Sequence, residues 1–138
     1  MSVYLDYSAS APVLPEVLET MIDAYRNTPG NAGSRTHAFG TSAAKLVSRS
    51  RETIAAVLGR DPSEVVFTSG STESNNTAIL GIREYAQRTG RNHIVTTAIE
   101  HKSVLEPLRF LESLGFSVDF VRPDESGRVN ARDILGRV

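Results

Sequence analysis

The 138 residues fall in the range of one ordinary domain, and 40% apolar with 22% charged residues are the proportions of a globular chain rather than a disordered tail. Fifteen basic residues against sixteen acidic ones give a net charge of −1, which offers no electrostatic case for nucleic acid or an anionic membrane as a direct partner. No apolar run approaches the ~20 residues that cross a bilayer, the N-terminus lacks a secretory pattern, and a cytoplasmic location is therefore expected.

The first helix is expected over 12–27, where Leu14, Val17, Leu18, Met21, Ile22 and Tyr25 recur at the three-and-four spacing of one buried face. Residues 29–34 are a loop by composition. A second helix follows over 41–58, with Ala43, Val47, Ile54, Val57 and Leu58 on its buried side and Gly59 as its stop. Asp61-Pro62-Ser63-Glu64 is a capped turn. Val65-Val66-Phe67-Thr68 is a short β-branched and aromatic run, hence an expected buried strand.

Beyond it the pattern alternates. A polar turn at 69–72 opens a helix over 73–88 that ends at Gly90, and 93–97 form the next strand. A helix over 102–114 ends at Gly115, with Ser103 and Glu106 at capping-box spacing and Pro107 disturbing the first turn. Residues 116–121 are a third strand, and 130–137 a closing helix. Strand, helix, strand, helix, strand is the order of a parallel α/β sheet, which binds ligands beyond the carboxyl ends of its strands. That rule selects residues 69–74 and 98–102, on one rim.

Ser69-Gly70-Ser71-Thr72-Glu73-Ser74-Asn75-Asn76 sets a hydroxyl-rich turn at a helix start, where free backbone N–H groups and the positive end of the helix dipole suit a phosphate. The same residues also read as an ordinary helix N-cap, and without a following Lys they are no nucleotide P-loop. His101, at the end of the second strand, reads as an acid or base, as a ring lying on an aromatic cofactor, or as a plain loop histidine. His37, in the loop with Asn31, Ser34 and Arg35, leaves the same choice open. The three histidines are dispersed and have no carboxylate cluster, so they do not make a metal-site pattern.

In chain order stand Tyr4-Leu5-Asp6-Tyr7-Ser8-Ala9 with Pro12, Gly30-Asn31 with Ser34 and His37, Phe67-Thr68-Ser69-Gly70 with Thr72-Glu73-Ser74 and Asn76, and Glu100-His101-Lys102. This series resembles the N-terminal region of cysteine desulfurases, pyridoxal-phosphate enzymes of the class V aminotransferase group, over essentially the whole chain. Selenocysteine lyases and other class V enzymes share the layout more loosely. The resemblance implies an α/β fold, namely the N-terminal portion of the three-layer, parallel-sheet fold of type I pyridoxal-phosphate transferases. Residues 1–30 would be an N-terminal segment and helix, and 31–138 the first part of the large cofactor-binding domain.

It implies roles as well. Ser71 and Thr72 would hold the phosphate of pyridoxal 5′-phosphate. His101 would stack on the pyridine ring and take part in proton transfer. Ala9, Asn31, Ser34 and His37 would lie on the substrate side. The complete enzyme would take sulfur from L-cysteine, leave alanine, and pass a persulfide to an acceptor protein such as iron–sulfur cluster assembly machinery, as a homodimer.

Departures from the family pattern accompany these matches. Ala9-Ser10-Ala11-Pro12 stands for the usual Ala-Thr-Thr-Pro, and Ala32 replaces the proline that commonly follows Asn31, which would loosen that loop. Lys45 and Lys102, the only lysines, match no Schiff-base motif, and there is no cysteine. The lysine, the aspartate facing the pyridine nitrogen and the persulfide cysteine lie further along in the family. This chain alone is therefore expected to be inactive and to need a complement: a C-terminal half in the same or a separate polypeptide, or a second copy. A non-catalytic interaction module, or a subunit of a split enzyme, is the alternative.

Overall fold

The computed structural model describes residues 3–138, which divide into two compact units, one ending at Val66 and the other Phe67–Val138. Among the described residues no helix is long and apolar enough to cross a membrane.

The first unit holds helices α1 (Pro15–Asn27) and α2 (Ala38–Leu58), then a single 3-10 turn at Pro62–Glu64. Pro15, with its fixed φ and missing N–H, suits the first helical position, so α1 begins there rather than at residue 12. His37 caps α2: its Nδ1 accepts from the Gly40 N–H at 3.1 Å, which moves the helix start three residues ahead of expectation. Gly59 closes α2 in the left-handed region, at φ 63°. The expected capped turn is present, with the Asp61 and Glu64 carboxylates each accepting a backbone N–H of the same turn.

Two expected buried faces are exposed in this unit. No residue of α1 is buried, and Tyr25 is 81% exposed. On α2 the buried positions are Gly40, Ala43 and Ala55, while Val47, Ile54, Val57 and Leu58 lie open. Helical spacing fixes which residues share a face, but not whether an element covers it. The buried α2 positions are small because backbone approaches there. A Cβ on Gly40 would collide with the Ser34 carbonyl, and one on Gly30 with the Phe39 carbonyl.

The expected strand at 65–68 is not part of a sheet. Val65 has extended dihedrals, but its carbonyl accepts from Arg51 Nε at 3.1 Å, and Val66 is 72% exposed. A strand needs a laddered neighbour, and here a guanidinium takes the carbonyl that a neighbour would use.

The second unit runs α3 (Ser71–Thr89), β1 (His93–Thr97), α4 (Lys102–Ser113), β2 (Ser117–Val121) and α5 (Ala131–Leu135). β1 and β2 pair in parallel, from His93 opposite Ser117 to Thr97 opposite Val121, with α4 as the crossover. The Ser117 N–H to Asn92 carbonyl bond (3.0 Å) and the Ala98 N–H to Val121 carbonyl bond (2.8 Å) extend the pairing at either end. Ser103, Pro107, Leu108 and Leu111 recur at three-and-four spacing and form the buried face of α4. Leu111 and Val121 are the largest fully buried side chains, with Leu108 and Ala86 beside them in burial. Each buried Leu or Val stabilises the unit by roughly 1.5–3 kcal/mol. The sheet is parallel as expected, but it has two strands rather than three.

Two helix glycines should respond to alanine with opposite signs. Gly81, in α3, has open space where a Cβ would stand, so Gly81→Ala should gain about 0.5–1 kcal/mol of helix stability. Gly40→Ala has the same backbone gain but must displace the Ser34 backbone, and should lose about 1–3 kcal/mol net. Urea midpoints of the two variants check both signs.

Candidate functional site

The start of α3 is built to leave its donors outward. Gly70, the N-cap, has no side chain to bond them, and the first N–H groups of a helix have no partner within it. Glu73 does not compete for them. Its carboxylate turns back to accept the Ser69 N–H at 2.6 Å and the Ser69 hydroxyl at 2.7 Å. On the other flank Thr68 Oγ1 and Ser74 Oγ lie 2.7 Å apart, each 3.2 Å from the Gly70 carbonyl, so one hydroxyl donates to the other and the second to the carbonyl. The turn is thus held by its outer residues, and the Ser71 and Thr72 N–H groups and hydroxyls make no hydrogen bond among the described residues.

The start of α4 is held against α3 by three polar side chains. His101 is the N-cap, its Nδ1 accepting from the Ser103 N–H at 3.1 Å. The expected capping box of Ser103 and Glu106 is absent: Ser103 is already helical, and Glu106 pairs with Arg109 at 2.9 Å instead. Histidine is outside the usual N-cap set, which is why the sequence pattern missed it. Ser103 Oγ lies 2.8 Å from His101 Nδ1 and accepts from Asn75 Nδ2 at 2.9 Å. The Asn76 amide donates to the Thr72 carbonyl at 2.8 Å and reaches the Ser103 carbonyl at 3.5 Å.

Pro107 explains that last contact. It lies inside α4 and has no N–H, so the carbonyl four residues earlier, that of Ser103, lacks its helical partner. The proline that was expected to disturb the first turn instead opens an acceptor toward α3.

The result is an open groove of about 480 Å³ between the two helix starts, lined by Thr72, Asn76, Leu80, His101, Pro107 and Phe110 among others. Its lining combines the Thr72 hydroxyl, the His101 imidazole and the apolar surface of Leu80, Pro107 and Phe110. Lys102 and Glu106 line it as well, one charge of each sign, with Glu106 paired to Arg109. Such a groove suits a small, flat molecule that carries an anionic group.

The other expected site residues belong to the first unit. Asn31 builds its own turn: Oδ1 accepts the Gly33 N–H at 2.8 Å and its carbonyl accepts the Ser34 N–H at 2.9 Å. The loop is therefore closed without the proline that Ala32 replaces. Ser34 sits against Gly40, and His37 caps α2. Ala9 lies in a turn closed by its own N–H on the Asp6 carbonyl at 3.1 Å, with the Tyr4 hydroxyl 2.9 Å from that carbonyl. His93, given no role, pairs with Asp119 at 3.0 Å, and Arg137 adds a second partner at 3.2 Å. The His93 hydrogen bond, followed by the charge of Arg137, lowers the Asp119 pKa.

The groove thus lies beyond the carboxyl end of a strand in a parallel α/β unit, where open sheets bind ligands. A family described as Aminotransferase class-V matches residues 3–137, and the chain belongs to that family. It is 47% identical over 127 residues to a cysteine desulfurase IscS of Methylococcus capsulatus, covering 92% of this chain and 31% of that protein. Among solved structures, DndA from Streptomyces lividans aligns with a TM-score of 0.81 at 46% identity, covering 99% of this chain and 38% of that one. A structure described as SspA in complex with cysteine aligns with a TM-score of 0.85 at 39% identity, covering 99% and 39%. The chain thus spans about a third of the length of the curated relatives it matches. Its two-stranded sheet and crossover are one part of the fold type I architecture of those neighbours.

The Glu73 contact predicts a pH dependence. The Ser69 N–H, then the Ser69 hydroxyl, hold the Glu73 pKa below its ordinary 4.5. A depressed folded value stabilises the ionised form, so the contribution is complete above 4.5 and is lost as pH falls through the lower folded value. The Ser69 amide resonance should follow a titration with its midpoint below 4.5, and Glu73→Gln should abolish it.

Proposed function

We propose that this chain is the N-terminal portion of a cysteine desulfurase and supplies the phosphate-binding turn and the ring-stacking histidine for pyridoxal 5′-phosphate. The observation that carries this reading is the groove lined by Thr72 and His101 at two adjacent helix starts, with the open donors of Ser71 next to Thr72 in the first turn of α3. The residues fit the group. Uncommitted N–H and hydroxyl donors at the positive end of a 19-residue helix match a phosphate, and an imidazole with apolar neighbours matches a pyridine ring.

When bound, pyridoxal phosphate supplies the electron sink that stabilises negative charge at a substrate α-carbon. Ser71 and Thr72 would hold its phosphate. His101 would lie against the ring, and its Nε2 could hold or move a proton there. Leu80, Pro107 and Phe110 give that side of the groove an apolar surface. L-cysteine is the substrate in this reading, supported by the similarity to a protein solved with cysteine. The loop of Asn31, Ser34 and His37, with Ala9, serves the substrate side.

The attacking thiolate comes from outside these residues, since they contain no cysteine. So does the Schiff-base lysine, because Lys45 lies within α2 and Lys102 directly follows His101. The complete enzyme is a homodimer that hands its persulfide sulfur to an acceptor protein.

Alanine release from L-cysteine by the protein carrying these residues, with an absorbance band for bound cofactor, tests the proposal. Neither signal, in the presence of the downstream polypeptide, would contradict it. In the same protein Thr72→Val should weaken cofactor binding about tenfold or more, the loss expected for one hydrogen bond to a charged group. His101→Ala should weaken it roughly 2- to 12-fold through lost ring contact alone. Absorbance titration measures both.

A further inference from the structure

Ser103 is the one buried polar side chain among the described residues, 7% exposed on the face of α4 that otherwise carries Pro107, Leu108 and Leu111. An alanine would fill that place without the cost of burying a hydroxyl. The hydroxyl has two uses here, and they are directional. The Ser103 N–H points at His101 Nδ1 from 3.1 Å and can only donate, so Nδ1 is an acceptor and a neutral ring carries its proton on Nε2. Ser103 Oγ, 2.8 Å from the same nitrogen, must then donate too. Its lone pairs are left for Asn75, whose Nδ2 donates from 2.9 Å.

Resting on the cofactor reading above, we propose that Ser103 and Asn75 are positioning residues: a one-way chain of donors from α3 through Ser103 fixes the His101 ring with its Nε2–H presented to the groove. His37 provides the contrast within the same chain. It caps α2 with the same nitrogen but receives only the Gly40 N–H, with no hydroxyl behind it. His101 therefore has two donors on Nδ1 where His37 has one.

The chain contains three histidines, so long-range ¹H–¹⁵N spectra of the full chain resolve each ring, with His→Gln variants giving the assignment. The wild-type His101 ring is expected as the Nε2–H tautomer, more completely than His37. Ser103→Ala and Asn75→Ala should shift its tautomer ratio about 2- to 10-fold toward Nδ1–H, the span expected for one neutral hydrogen bond, and Ser103→Thr should restore it. The His93 ring, paired with Asp119 across the strands, reports in each variant that the unit is folded. A wild-type His101 protonated on Nδ1 would overturn the proposal before any variant is made. So would an unchanged ratio in folded Ser103→Ala, because a clasp that merely joined α3 to α4 would alter stability and leave the ring as it was. The readout contains no cofactor, so it succeeds or fails apart from pyridoxal phosphate binding.

Discussion

The candidate site depends on the polar clasp between the starts of α3 and α4. A phosphate and a ring could be held by these two helix starts only at a fixed separation. Asn75 and Asn76 on α3 bond the Ser103 hydroxyl and approach its carbonyl on α4, and Pro107 frees that carbonyl by removing a helical donor. Each neutral bond contributes only about 0.5–1.5 kcal/mol net. Leaving a buried member of the set unpaired costs about 1–3 kcal/mol, which is why the geometry is specified more strongly than the bond energies suggest.

The turn before α3 follows the same economy. Glu73, Thr68 and Ser74 satisfy the turn from its flanks, so the donors at Ser71 and Thr72 stay outward. A carboxylate at the third helical position would ordinarily take up the positive end of the dipole. Tied to Ser69, it leaves that end open for a ligand. Glycine at the N-cap position belongs to the same design, since a capping side chain would occupy the donors a phosphate needs.

Much of this was legible in the sequence, for identifiable reasons. The strand 93–97 was read to the residue because five β-branched and polar positions stand between turn signals, and its parallel partner followed from the crossover helix. The glycine stops at 59, 90 and 115 were read correctly because left-handed dihedrals leave few other choices. Thr72 and His101 stood out as candidates by their place after a turn and a strand, while their roles came only from the family resemblance. The clasp itself was not legible. Asn75, Ser103 and Pro107 each have an unremarkable local meaning, and their joint role needs two helices brought together across 28 residues of chain. The strand at 65–68 and the covered faces of α1 and α2 failed for the opposite reason, since propensity and periodicity describe a surface without saying what lies on it.

The most direct measurement is a map of backbone amide shifts as pyridoxal phosphate is added to the isotopically labelled protein. The account predicts that the largest shifts fall at the start of α3, on Ser71 and Thr72, and at the start of α4, on His101 and its capped turn. Shifts gathered instead around Arg122 and Arg132, in the second open pocket of the unit, would mean that the anion is held by surface arginines. The reading of the α3–α4 groove as the cofactor site would then be wrong.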